Sequence, residues 1–196
     1  AALMTETTVS ISIMSAVSNM LGNTPLEDAM FRNIDRLGPV PFDAADKAYA
    51  ARIQATLGPA DILNDYRKTG IAPRENTPLC DFVVPQGTRG VPMIGSTDVA
   101  DVSWKVPTIQ ARVATHAIGT PGHSWQITAQ GKAPAAHKGM VHAAKIMAAT
   151  AVDVISDETL LARAKKDHQE RVTRTPYVCP IPADVKPPIK PRPQAA

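Results

Sequence analysis

Proline and glycine decide where this chain can be regular. It has 196 residues, with 18 prolines and 11 glycines. Proline breaks a helix interior and cannot donate to a central sheet ladder, so long elements must lie between these residues. The first long interval begins at Thr24-Pro25-Leu26-Glu27. A capping threonine, a proline in the first turn and a glutamate three positions on make a helix start. Leu26, Met30, Ile34 and Leu37 then recur at helical spacing until Gly38-Pro39 stops the run. A second helix is expected from Asp43 to Leu57, with Ala45, Ala48, Tyr49 and Ile53 turned inward and Gly58-Pro59 ending it. Residues 59–79 lack periodicity and carry Pro59, Gly70, Pro73 and Pro78, which reads as an irregular connection with a short helix near Ile62–Tyr66. From Lys138 to about Ile155 the chain is rich in Ala and Met, with Met140, Ala144, Met147, Ala151 and Val154 on one face, read as core. Ser156 is expected to cap a further helix through Arg171.

Period-two patterns lie between these helices. Val9, Ile11 and Ile13 alternate with Ser10, Ser12 and Met14, and Ile109, Ala111 and Val113 alternate within Thr108–Thr115. Both read as half-buried strands. Phe82–Val84 and Val91–Ile94 are short apolar runs bounded by Pro or Gly, which suits buried strands. Strands mixed with helices place the chain in the α/β class. After Tyr177 the prolines cluster (Pro180, Pro182, Pro187, Pro188, Pro191, Pro193), and an extended tail is expected.

Composition narrows the function classes. The net charge is +3, from 21 basic and 18 acidic residues. No concentrated basic face accompanies it, so nucleic-acid binding is not expected. No uninterrupted run of eighteen apolar residues occurs, so no membrane span is expected. Cys80 and Cys179 have no metal-binding spacing and read as free thiols of a reducing cytoplasm. The chain opens on Ala1-Ala2-Leu3-Met4-Thr5, without an initiator Met or a leader pattern. That leaves an artificial start and an internal start both open.

Three stretches can carry chemistry. Gly119-Thr120-Pro121-Gly122-His123-Ser124-Trp125-Gln126 is a tight loop between a strand and later helices, where sites are often built. His123 there can offer a neutral imidazole to a metal, or merely bond a loop carbonyl. Gly95-Ser96-Thr97-Asp98-Val99-Ala100-Asp101-Val102-Ser103-Trp104 follows an apolar strand, at the end where α/β proteins place ligands. Asp98 and Asp101 can serve a metal, a substrate or a helix cap. Ala136-His137-Lys138-Gly139-Met140 opens a helix whose amides and Lys138 favour an anion, or is simply a solvated helix start. His116 reads as a strand residue, His142 as a helix-face residue and His168 as solvated in a charged helix. HExxH, P-loop, GxGxxG and GxSxG patterns are absent. One histidine falls short of the three protein ligands a catalytic zinc takes.

Together, and in this order and spacing, Gly95–Trp104, Pro107-Thr108, Gly119–Gln126 and Ala136–Met140 resemble the aminobenzoyl-glutamate utilisation protein B family. That family is an amidohydrolase branch of the dinuclear-zinc aminoacylase and carboxypeptidase superfamily. The segment Ala1–Met20 is similar to the last strand of that family's α+β lid. The resemblance implies that residues 1–20 end a lid and dimerisation domain. Residues 21–178 would be the C-terminal part of a catalytic domain, and 179–196 a proline-rich tail. It implies that His123 is a metal ligand, and that Ser96, Thr97, Asp98 and Gly122 border the substrate. The remaining ligands for two Zn2+ ions (or Mn2+) and the carboxylate base would lie in an N-terminal half or on another chain of a homo- or heterodimer. The implied reaction is hydrolysis of an aminobenzoyl-type N-acyl amino acid, with this portion inactive alone. A non-catalytic interaction module is the alternative.

Overall fold

The computed structural model describes residues 2–91, 95, 97–186 and 189. Among them the fold is all helical: α1 (Thr24–Leu37), α2 (Ala44–Gln54), α3 (Pro59–Thr69), α4 (Val99–Ser103), α5 (Trp125–Gln130), α6 (Pro134–Ser156) and α7 (Glu158–Arg174), preceded by a short 3-10 turn at Ala2–Thr5. The α/β expectation, with a preceding lid strand, is therefore corrected, because no strand occurs among the described residues. A strand exists only when its backbone bonds a neighbour. The Thr7 N–H bonds only the Ala2 carbonyl of the preceding turn, residues 8–14 make no backbone bond among the described residues, and Val9, Ile11 and Ile13 are exposed on the side read as buried. Segment 108–115 keeps the predicted sidedness: Ile109, Ala111 and Val113 are half-buried while Gln110 and Arg112 are exposed. No ladder forms along it. Of the run Val91–Ile94, only Val91 falls within the described residues.

The helix boundaries follow local chemistry. Asn23, not Thr24, caps α1: its side chain accepts from the Leu26 N–H at 3.3 Å, and Glu27 accepts from the Asn23 N–H at 3.2 Å. Gly38, at φ 70°, ends that helix as expected. Asp43 and Asp46 form a reciprocal capping box at the start of α2. The inward face of α2 is Asp46, Ala50 and Ile53; Ala45 and Ala48 are exposed, and Tyr49 is half-buried. Helix α3 is longer than expected and ends on the left-handed Gly70. Asp157, one residue past the expected Ser156, caps α7 by accepting from the Leu160 N–H at 3.0 Å.

Helices α1, α6 and α7 pack on one another. Their shared interior holds Leu26, Ala29, Met30, Ile146, Leu160 and Ala164. Asn33 donates to the Asp153 carboxylate at 2.6 Å inside it, so the buried amide is bonded. A second cluster of Ala50, Ile53, Leu79, Ala117 and Ala135, with Phe42 and Tyr49 against it, joins α2 to the start of α6. The inward face of α6 is Ala135, Gly139, His142, Ile146 and Thr150. The methionine face read as core is outward: Met140 and Met147 are 61% and 56% exposed. Helix α6 is also long and apolar enough to cross a bilayer by length and composition, with a hydropathy of 1.2. His137, Lys138, His142 and Lys145 interrupt its apolar stretch, so it contains no unbroken run of eighteen apolar residues.

Candidate functional site

Loop 117–124, which carries His123, is held from three sides. At its base the buried Gln130 of α5 accepts from the Ala117 N–H at 2.7 Å and donates to the Thr120 hydroxyl at 3.1 Å. From α3, Asp65 accepts from the Gly119 N–H at 2.7 Å. From α2, Gln54 donates to the Ile118 carbonyl at 3.0 Å. Gly119 has φ 91°, and a Cβ there would stand 2.8 Å from the Ile62 backbone, so only glycine lets the loop approach α3 this closely. Ser124 closes the loop, donating to the Pro121 carbonyl at 2.7 Å and accepting from the Ile127 N–H at 3.3 Å as the cap of α5.

His123 sits at the tip of this frame. Its φ is 58°, a left-handed conformation sparsely populated by residues with a Cβ. Such an outlier held by a well-bonded frame is a mark of functional positions. The imidazole is exposed and makes no hydrogen bond among the described residues. Gly122 beside it is exposed, and a Cβ there would meet nothing within 4 Å. An unengaged imidazole on a fixed loop suits one position of a zinc coordination sphere. Among the described residues no group of three or more His, Cys, Asp or Glu could hold a metal ion.

The other predicted residues stand elsewhere. Ser96 lies outside the described residues. The Thr97 hydroxyl accepts from the Val99 N–H at 3.3 Å, and Asp98 is exposed at the start of α4 without bonding a helix amide. No hydrogen bond among the described residues joins Thr97 or Asp98 to the His123 loop. Asp101 is a tie between chain ends: it accepts from the Tyr177 hydroxyl at 2.8 Å and from the Ser18 N–H at 3.3 Å. Its bond to Tyr177 pushes that phenol far above the ordinary tyrosine range. Trp104 stacks tilted on Tyr177 at 5.9 Å and donates to the Asn19 carbonyl at 2.7 Å.

Lys138 is not free to receive an anion. It bonds Asp43 at 2.7 Å and also Asp46, and these bonds raise its pKa while Lys138 holds Asp43 below the usual carboxylate range. His137 is exposed. His142 is buried with Nε2 2.9 Å from the Gly38 carbonyl, so it is a satisfied core residue. His168, expected to be solvated, is half-buried with Nε2 3.0 Å from the Ser103 carbonyl. His116 is half-buried, and burial lowers its pKa. Cys80 and Cys179 are free thiols, as expected, and burial pushes Cys80 up. Gln130 and Asp65, which hold the loop, went unread in the sequence because no local pattern marks a long-range side-chain bond.

The chain is 40% identical, over 201 aligned positions and 97% of its length, to one subunit of the p-aminobenzoyl-glutamate hydrolase of Escherichia coli (strain K12). The family likeness read from the motifs holds. The chain spans 42% of the length of that subunit. No protein-family model matches the chain, and no solved structure matches it.

Proposed function

We propose that this chain is the portion of a metal-dependent amidohydrolase that supplies His123 as a metal ligand and the Gly95–Asp101 segment, which runs into α4, as part of the substrate wall. The substrate class is an N-acyl amino acid of the aminobenzoyl type. One observation carries the reading: the stretch 40% identical to a p-aminobenzoyl-glutamate hydrolase subunit contains an exposed imidazole on a left-handed, three-sided loop. The remaining ligands and the carboxylate base lie outside these residues, in a longer polypeptide or a second chain, as the word subunit in the relative's name suggests. Two free thiols favour a reducing, cytoplasmic setting.

In this scheme His123, with ligands outside these residues, would hold a zinc or manganese pair, which when bound would supply Lewis-acid activation of the scissile carbonyl and of water. The bonds from Gln130, Asp65 and Gln54 fix the loop that carries the His123 imidazole, so the ring would reach the metal from a held position. Gly122 leaves room for substrate beside the ring. Ser96, Thr97 and Asp98 offer hydroxyl and carboxylate groups to the polar ends of the amide.

The test is a chimera in which this chain replaces the matching stretch of the Escherichia coli subunit, purified with any required second subunit and assayed for hydrolysis of p-aminobenzoyl-glutamate. The unsubstituted chimera should be active. His123→Ala should lower kcat/KM by more than the roughly 10–100-fold that loss of a metal ligand's outer partner costs. Full activity of the His123→Ala protein, with its circular dichroism unchanged, would remove the assignment.

A further inference from the structure

Helix α4 is too short to hold itself. It has 5 residues, far below the ~12–15 at which an isolated helix becomes marginally stable, and no side chain caps its start. The proposed substrate wall nevertheless runs into it, with Thr97 and Asp98 immediately before its first turn. Its place is therefore set by what it touches. Two contacts reach back to the chain leading into α1. The fully buried Ser103 hydroxyl accepts from the Leu21 N–H at 2.8 Å, and the Trp104 indole donates to the Asn19 carbonyl at 2.7 Å. A third reaches α7, where His168 Nε2 lies 3.0 Å from the Ser103 carbonyl. All three hold the C-terminal end of α4.

The first turn is held through Asp101, which is half-buried where Asp98 is exposed. Its carboxylate accepts from the Ser18 N–H at 3.3 Å and from the Tyr177 hydroxyl at 2.8 Å. The shorter bond has its donor beyond α7, which ends at Arg174. The Tyr177 ring is fixed in turn: it lies tilted against Trp104 at 5.9 Å, and the Lys105 ammonium stands 4.5 Å from its centroid. A phenol with its ring packed and its hydroxyl on a carboxylate is a rigid strut. The chain after α7 thus closes back on the turn that follows Thr97 and Asp98.

We propose that Tyr177 is a positioning residue for substrate: through Asp101 it fixes the first turn of α4 and so sets where Thr97 and Asp98 meet the ligand. The proposal rests on the substrate wall of the proposed function and adds to it a residue from a distant part of the chain. Tyr177 acts through Asp101 and not by contact with substrate. Its loss weakens binding and leaves the metal site at His123 as it was.

Substrate binding by the chimera tests it. Calorimetry with p-aminobenzoyl-glutamate on the metal-free protein reads Kd, and steady-state assay of the metal-loaded protein separates KM from kcat. Tyr177→Phe keeps the ring and removes the hydroxyl. It should raise Kd and KM about tenfold, the order of one hydrogen bond to a charged group, with kcat changed less than about twofold and metal content unchanged. Asp101→Ala should raise them at least as far, and combining it with Tyr177→Phe should add nothing, because the two groups form one bond. Asp101→Asn, which keeps an acceptor oxygen, should recover most of the affinity. Ile146→Ala, which loosens the interior shared by α1, α6 and α7, should lower Tm with Kd unchanged. An unchanged Kd in Tyr177→Phe overturns the proposal. So do additive effects of the pair, or an equal rise of Kd in Ile146→Ala, which would mark general loosening. If Tyr177→Phe is insoluble, the two Asp101 variants decide. The outcomes keep the two readings apart. A weakened Kd in Tyr177→Phe supports the positioning role even where His123→Ala keeps its metal and activity, and metal loss in His123→Ala beside an unchanged Kd in Tyr177→Phe removes the positioning role alone.

Discussion

Replacing Gly139 with alanine sets two effects of opposite sign at one atom. Within a helix, alanine is about 1 kcal/mol better than glycine, so propensity alone predicts a more stable protein. The structure predicts the reverse. The new Cβ would lie 2.2 Å from the Ala114 carbonyl oxygen and 2.8 Å from Cγ2 of Thr115, where ordinary contact begins at 3.4 Å. The nearest obstacle is backbone, so α6 and the 109–116 segment must separate by about an ångström rather than let a flexible side chain turn away. Overpacking of this kind costs about 1–3 kcal/mol, and a backbone clash belongs at the upper end. Against the gain in propensity the net is a loss of about 1–2 kcal/mol, or a Tm lowered by roughly 2–8 °C for a chain of this size. Thermal unfolding followed by circular dichroism reads the sign directly. A Tm raised by a few degrees would show that α6 does not press on this segment.

Ile146→Ala, on the inward face of α6, should cost about 2–5 kcal/mol, whereas Met147→Ala next to it should stay within about 0.5 kcal/mol. Denaturant unfolding of the pair checks which face of α6 is buried, and equal losses would contradict the structure. Lys138→Met should lower Tm most near neutral pH. Asp43 is held below its ordinary range, so the pair's contribution is present above the unfolded carboxylate pKa and fades as pH falls through the lowered one. The difference from the unsubstituted chain should therefore vanish in acid, and a constant difference would contradict the ion pair. Tyr177→Phe should abolish the most delayed phenol ionisation in an ultraviolet titration and speed amide exchange at residues 18–21 and 175–185, since it removes one end of the Asp101 tie.

Helix ends were legible where one residue decides them: Gly38, at positive φ, ends α1, and Asp43, with its capping box, starts α2; Gly70 was legible only as a breaker, because the helix before it lacks a clear apolar period. The caps at Asn23 and Asp157 shifted by one residue because several neighbouring side chains can accept the same amides. The strands were not legible as an outcome, although the sidedness of Ile109, Ala111 and Val113 was. Alternation reports which side is covered, while a ladder also needs a second backbone. The Gly-Pro loop around His123 was visible from its turn residues, but the frame that holds it was not. Gln130 reaches Ala117 across 13 positions and Asp65 reaches Gly119 across 54, and no periodicity encodes such bonds. The reversal of α6 has a similar cause, since a helix apolar on two faces does not say which of them meets its own chain.

The most direct test of the account is the metal content of the chimera and of its His123→Ala form, measured by inductively coupled plasma mass spectrometry after exhaustive dialysis. The account predicts about two divalent ions per site in the chimera, as dinuclear hydrolases hold, and the loss of at least one of them on His123→Ala. An unchanged metal ratio with a folded protein would contradict it.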